Sequence, residues 1–533
     1  ELWKVVYGVW DYIKNSGRFP EAENLTLEWV GTVPGKRESR RFEGDYMLSQ
    51  RDIVEQRRHD DAVGYGGWAI DLHPAEGVYS RESPCTQWHA KGVYQIPFRC
   101  LYSRNIGNLF LAGRIISASH VAFGSTRVMA TCAHNAQAVG MAAAICRRDG
   151  CRPKQLAAAG RMTELQRRLL RTGQHIPLAM IEDGDDLAAT AQLTSSSRLS
   201  LSLLERNGAV LPLTESFAML LPVEVGAVPA FRFQAAADEP TTLVVSLQGC
   251  TRPGAVTPDE VLASREIAIQ PRAARAGWRA ADGRLAAADR DGGVQTILRL
   301  DALADDERAE LAEFTIDFET RVDRSRYLML CFQANPSVSL AVSDNRVTGV
   351  LSLSQKGNRA VSKAAVQTPP PGSGIETFPF WLPSRRPAGN NLALVIEPPL
   401  DAFGPENLAG GPDRPEDAPN AWVADPADPA PWAELTWERP QTIRRIRVSF
   451  DTDFDHPMES VLMHHPERTM PFCVPAARLL DDEGTVIAEM IDNHQSHWDV
   501  QCERPVTTCR LRLEVKHPPS GCPAAVFRVR VFA

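Results

Sequence analysis

Apolar residues recur at Leu2, Val5, Val6, Val9 and Ile13, the spacing of an amphipathic helix. No initiator Met, signal peptide or N-cap precedes them, so the chain reads as starting inside an element. Two strand-like apolar runs, Gly92 to Phe98 and Asn108 to Ala112, lead to a small-residue helix expected from about Arg127 to Cys146 and ended by Arg147, Arg148, Asp149 and Gly150. A basic helix is expected at Met162 to Arg171 and a short one around Asp185 to Ala191. Their polarity marks this stretch as a connector on the surface.

The period then changes. From about 206 to 365 the text is short alternating apolar runs such as Thr242 to Leu247 and Tyr327 to Phe332, which predicts an antiparallel sandwich. Turn-rich text at Thr368 to Gly374 and at Pro405 to Pro431, the latter holding seven prolines, predicts linkers or long loops. Period-two alternation returns in Trp432 to Trp437, Ile443 to Phe450, Cys509 to Val515 and Phe527 to Phe532, a second all-β unit.

Composition narrows the function classes. At 533 residues the chain is too long for one core, and 44% hydrophobic with 23% charged residues is a globular balance. The net charge of −8 argues against nucleic acid or an anionic membrane as partner, and no apolar run is long enough for a membrane-spanning helix. Eleven cysteines without a repeated close spacing indicate neither a disulfide scaffold nor a structural zinc site, and they fix no compartment.

Chemistry concentrates in Asn108 to Gly113 with Arg114, followed by Ser117 to Arg127. A strand ending in Gly113 allows close ligand approach, and Gly124 before a helix capped by Ser125 or Thr126 leaves backbone N–H groups aimed at a ligand. His73, beside Pro74, and His120, just before the helix, are the candidate bases for taking a hydroxyl proton. Arg37, Arg40 and Arg41 around Glu38 read as an ion-pair network, and Trp88 with His89 as core before sugar platform. His456, His464, His465, His494 and His497 crowd the last domain with Asp451, Asp453, Asp455 and Asp492, but no metal-ligand spacing is present and no metal is expected.

The ordered motifs Gly35 to Arg41 with Gly44-Asp45-Tyr46, Asp71-Leu72-His73-Pro74, Tyr94 to Arg99 and Asn108 to Ala144 resemble the carboxyl-terminal part of the FAD-dependent oxidoreductases with a glutathione-reductase-like flavin fold, some of which carry the label "xanthan lyase". The resemblance implies an α/β, partial FAD-binding region over 1–157, with Gly113, Arg114, Gly124, Ser125 and Thr126 as cofactor contacts. It also implies a Gly-x-Gly-x-x-Gly nucleotide-binding unit that this sequence does not contain, to be supplied by the same precursor or another subunit. A helical connector over 158–205, a β-sandwich over 206–370 and a second sandwich over 371–533 complete the expected layout. From about Asn420 the text resembles the galactose-binding-like sandwich, through Ala421 to Asp425, Trp432 to Trp437 and Ile443 to Val448. The expected function is hydride transfer from a carbohydrate-like or polyol substrate to flavin; the alternatives are a non-catalytic carbohydrate-binding or structural array, and a polysaccharide lyase.

Overall fold

A 21-residue helix rich in small residues organises the first part of the molecule, in a computed structural model that describes residues 1–33, 40–179, 181–252, 255, 257–271, 298–299, 311–355, 365–383, 390–418, 420–452 and 471–533. Arg37, Glu38, His456, His464, His465, Asp453 and Asp455 lie outside the described residues. Residues 1–42 form one unit and 43–533 another. In the first, helix α1 (Leu2–Asn15) is followed by a 3-10 turn at Pro20–Asn24, and Lys14 Nζ donates to the carbonyls of Ala22, Glu23 and Leu25.

In the second unit the helices are α2 (Gln50–Val54), α3 (His120–Thr126), α4 (Met129–Asp149), α5 (Pro153–Leu156) and α6 (Ala159–Arg171). Strand β1 (Ala62–Gly66) pairs antiparallel with β4 (Tyr94–Pro97), and β2 (Ile70–Leu72) with β3 (Thr86–Trp88). Helices α4 and α6 pack on β1. Glycine permits this closeness: a Cβ on Gly64 would stand 2.8 Å from Asn135 Oδ1 and 3.0 Å from His134 Nδ1. The run 108–112, expected as a strand, makes a single bridge, Phe110 to Tyr102, and otherwise lacks ladder partners. Its apolar residues instead feed the core at Leu111 and Phe110.

Helix α6 also departs from a surface connector. Met162, Leu165 and Leu169 recur on one face and are buried with Ile96 and Phe98, while Gln166 Nε2 donates to the carbonyls of Asp60 and Ala62 at 2.9 Å. Its polar average hid a narrow apolar stripe. Beyond it, β5 (Gln192–Ser195) pairs with the long strand Trp432–Phe450.

Two antiparallel sheets face each other over residues 201–400, one ordered around Ala230–Ala237 and Val338–Ser343, the other around Phe217–Val223 and Arg326–Phe332. Their inward residues, Phe231, Phe233, Leu243, Val245, Leu330 and Phe332 among them, form one core, as the alternation requires. The last sheet is built on two 19-residue strands, Trp432–Phe450 and His497–Val515, that bend at register shifts and enclose Leu435, Ile446, Leu511 and Val531. The chain is thus an α/β part followed by two β-sandwiches.

Two turn-rich stretches are not free linkers. The hairpin of Val366–Gln367 with Phe378–Pro379 reaches back into the α/β core: Ile375, Phe378 and Phe380 are buried there, Phe380 stacks on His89 at 3.8 Å, and Gln367 Oε1 accepts the His89 N–H. That stacking covers a face of His89 that a sugar ring would use. The proline-rich strap from 405 touches all three parts. Glu416 accepts the Leu178 N–H on both oxygens at 3.0 Å and pairs with His175 at 2.9 Å. Arg414 donates to the Tyr65 hydroxyl, Asp417 O accepts from Tyr327, and Gly411 O accepts from Arg528. Leu178 itself is held at φ 60°, a left-handed conformation that costs about 1–2 kcal/mol for a side chain of this kind.

Candidate functional site

The expected ligand-facing helix start lies elsewhere than at Gly124. Ser119 caps α3, its hydroxyl accepting the Ala122 N–H at 3.2 Å, so Gly124, Ser125 and Thr126 form the last turn of that helix and are buried. Gly124 lies flat on β2, where a Cβ would come within 3.0 Å of Asp71 O. Ser125 Oγ is committed internally, donating to Trp68 O at 2.6 Å and sharing a hydrogen bond with the Tyr94 hydroxyl at 2.6 Å. Sequence reasoning put the cap of the long helix at Ser125 or Thr126, ahead of its actual N-cap Val128, because Gly-Ser-Thr is itself a capping pattern; it missed the separate short helix that Ser119 begins after Ser117-Ala118.

The open helix start belongs to α4. Its N-cap, Val128, offers no side chain to the first N–H groups, and Met129 is 89% exposed. Beside it lies the 3-10 turn Gly113–Ile115, which packs on α4. Gly113 adopts φ +66° with open space where a Cβ would stand, and Arg114 is only partly covered. Of the residues named from sequence, Gly113 and Arg114 are therefore at the open junction, whereas Gly124, Ser125 and Thr126 support it from within. Arg127, Val128 and Met129 were missed.

The two candidate histidines are separated by the length of α3. His120 is exposed at its first position. His73 stands at the other end, where β2 meets Arg127. Asp71 and His73, two residues apart along the extended chain, share a face. His73 Nε2 lies 3.6 Å from Asp71 Oδ1, His73 Nδ1 lies 3.0 Å from Pro84 O, and Arg127 Nη2 lies 3.3 Å from Asp71 O and 3.5 Å from Asp71 Oδ2. Cys85 is close by, and burial followed by the Asp71 charge pushes its thiol pKa up, which disfavours the thiolate. Among the described residues no group of three or more His, Cys, Asp or Glu side chains is placed to hold a metal ion.

Known proteins match this chain in two ways. Residues 1–169 match the family model described as FAD dependent oxidoreductase, about a third of the chain. None of the curated proteins compared matches. Among solved structures, a selenomethionine-labelled mutant of chitosan-binding module 1 from the chitosanase/glucanase of Paenibacillus sp. IK-5 is 10% identical over 25% of this chain and 86% of that one, with a TM-score of 0.19. The family 32 carbohydrate-binding module of Streptococcus pneumoniae EndoD is 17% identical over 25% and 86%, with a TM-score of 0.20. The family 32 module of C. perfringens NanJ, solved with galactose, is 10% identical over 21% and 77%, with a TM-score of 0.17. No residue is transferred from these neighbours.

The residues present fit the flavin that the family's name carries. A left-handed glycine with open space beside it, a partly exposed guanidinium and an uncapped helix start are a donor set suited to an electron-rich, anionic group. FAD held there would supply a two-electron acceptor.

Proposed function

We propose that this chain forms the substrate-proximal part of an FAD-dependent oxidoreductase acting on a carbohydrate-like or polyol alcohol. Gly113, Arg114 and the first N–H groups of α4 would hold the electron-rich edge of the flavin, and His73 would take the proton of the reacting hydroxyl; His120 is the second candidate for that proton. The nucleotide-binding glycine unit is proposed to come from the same precursor or from another subunit. What carries the reading is the basic junction of the Gly113–Ile115 turn with α4, inside the stretch that matches the family.

At that junction the chain's own groups divide the work. The α4 dipole and Arg114 favour negative charge without having to reorganise. The α3 turn, locked by Ser125 between Trp68 and Tyr94, packs on β2 just ahead of α4.

The test is spectroscopic. The chain, prepared together with its nucleotide-binding half, is expected to be yellow and to bleach when a panel of aldoses and polyols is added without oxygen. A colourless protein that takes up no FAD would sink the reading, and colourless protein releasing unsaturated uronates would replace it with a lyase.

A further inference from the structure

We propose that Cys146 and Cys151 form a redox pair that a peroxide converts to a disulfide at the carboxyl end of α4. This site goes beyond the flavoenzyme reading and does not depend on it.

The pairing follows from how α4 stops. Gly150 adopts φ 59°, the left-handed conformation in which many helices end and which glycine takes without a side-chain clash. The chain reverses there, and the Cys151 N–H donates to Cys146 O at 3.0 Å, the 6→1 bond of a Schellman motif. In that motif the residue after the glycine meets the side chain at the start of the turn, and here both residues are cysteines. With their backbone groups 3.0 Å apart, standard bond lengths keep the two Cα atoms within about 7 Å, the limit for a disulfide. The two thiols hydrogen-bond to each other, and both side chains pack on the α/β core.

Exposure separates their roles. Cys146 is 8% exposed, whereas Cys151 is half-buried, so a peroxide from solvent meets Cys151 first. The Cys151 thiolate attacks one peroxide oxygen: the O–O bond breaks, an S–O bond forms, and the other oxygen leaves as hydroxide that takes up a proton to become water. Cys146 Sγ then attacks the sulfenic sulfur of Cys151. An S–S bond forms, the S–O bond breaks, and the oxygen departs as water with the Cys146 proton. The two thiols together give up two electrons and two protons, and hydrogen peroxide ends as two waters. Because the resolving thiol is already in contact, the sulfenic acid is consumed before further peroxide carries it to the irreversible sulfinic state.

Tryptic mapping tests this in the full chain, with no cofactor needed. Arg147 and Arg148 lie between the two cysteines, and Pro153 blocks cleavage after Arg152. Protein that is reduced, treated with excess hydrogen peroxide, alkylated and digested without reductant should yield residues 128–147 joined to 149–154, with fragmentation placing the bond at Cys146 rather than at Cys132. Reductant should separate the two peptides and return both thiols. Recovery of both cysteines alkylated after peroxide, or of Cys151 as sulfinic acid beside an unlinked Cys146, overturns the proposal. Cys146→Ala should abolish the link and leave Cys151 as a sulfenic acid that dimedone captures; a Cys151 that dimedone does not label there overturns its role as the attacking thiol. The digest of the parent protein decides the pairing whether or not Cys146→Ala folds.

Discussion

Arg530 Nη2 lies 2.6 Å from Asp183 Oδ2, with side chains only 3% and 2% exposed, and this pair fastens the segment after α6 to the last strand of the chain. Arg171 also reaches Asp183, Arg530 Nε reaches Asp186 Oδ2 at 3.1 Å, and the Phe532 ring sits beneath Arg171 and Arg530 at 5.2 Å each. Removing one charge from a buried set leaves its partner unpaired in a poor solvent. Arg530→Met is therefore expected to cost about 3 kcal/mol, toward the lower end for buried pairs because Arg171 still faces Asp183. Urea unfolding of the two proteins measures it.

The same carboxylate sets an acid limit. Burial works to raise the Asp183 pKa, but the hydrogen bond and charge of Arg171 and the charge of Arg530 outweigh it and hold it below the usual 3.8. A depressed carboxylate contributes stability that is complete above its unfolded value and drains away as pH falls through the folded one. Unfolding midpoints followed from about pH 5 downward should fall more steeply in the parent than in Asp183→Asn.

His134 gives a second pH dependence at milder acidity. Burial, then the charges of His175 and Arg414, bring its pKa from 6.5 to about 4. The folded protein thus binds fewer protons than the unfolded chain between those values, so this contribution is whole above about pH 6.5 and is lost toward pH 4, by about 3 kcal/mol in all. His134→Gln should flatten the stability curve across that window; an unchanged slope would mean that the ring stays accessible to solvent.

Phe380 belongs in sequence to the sandwich side and in space to the α/β core. Phe380→Ala is expected to cost about 3–5 kcal/mol and to expose the Val366–Phe380 hairpin to protease, even though the residue lies nearly 300 positions from the His89 ring it covers. Digestion that begins elsewhere would contradict this.

Arg114 and Ser125 were read from sequence as doing the same work, and the structure separates them. Arg114→Ala should weaken FAD binding about tenfold with little loss of stability. Ser125→Ala should leave the Trp68 carbonyl and Tyr94 hydroxyl without their partner, costing about 2 kcal/mol, and should change FAD affinity less than about twofold. Fluorescence titration of FAD beside thermal unfolding distinguishes the two.

What the sequence made legible is what local periodicity encodes. The small-residue helix, the change to period two after residue 206 and the sandwich strands Thr241–Gly249 and Arg326–Phe332 follow from the spacing of apolar residues. What it hid depends on partners distant along the chain. Nothing in Gln367 or Phe380 announces His89, and nothing in seven prolines announces that Glu416 will brace Leu178. At the site, Gly-Ser-Thr looked like a helix start because capping chemistry is the same wherever it occurs; only Ser119 occupying that role three residues ahead of Ala122 shows which turn is first. The Asp71–His73 pairing was present as a two-residue spacing, but its meaning needed Pro84 and Arg127, brought in by a hairpin and a helix.

The hairpin also sets a clock on synthesis. The His89 N–H must wait for an acceptor 278 residues downstream. At about 5–20 residues per second, a ribosome needs roughly a quarter of a minute to a minute to cover that interval. Through that time the surface later covered by Ile375, Phe378 and Phe380 is open, and apolar. Until that hairpin is made, the nascent α/β part carries exposed apolar surface of the kind that promotes aggregation.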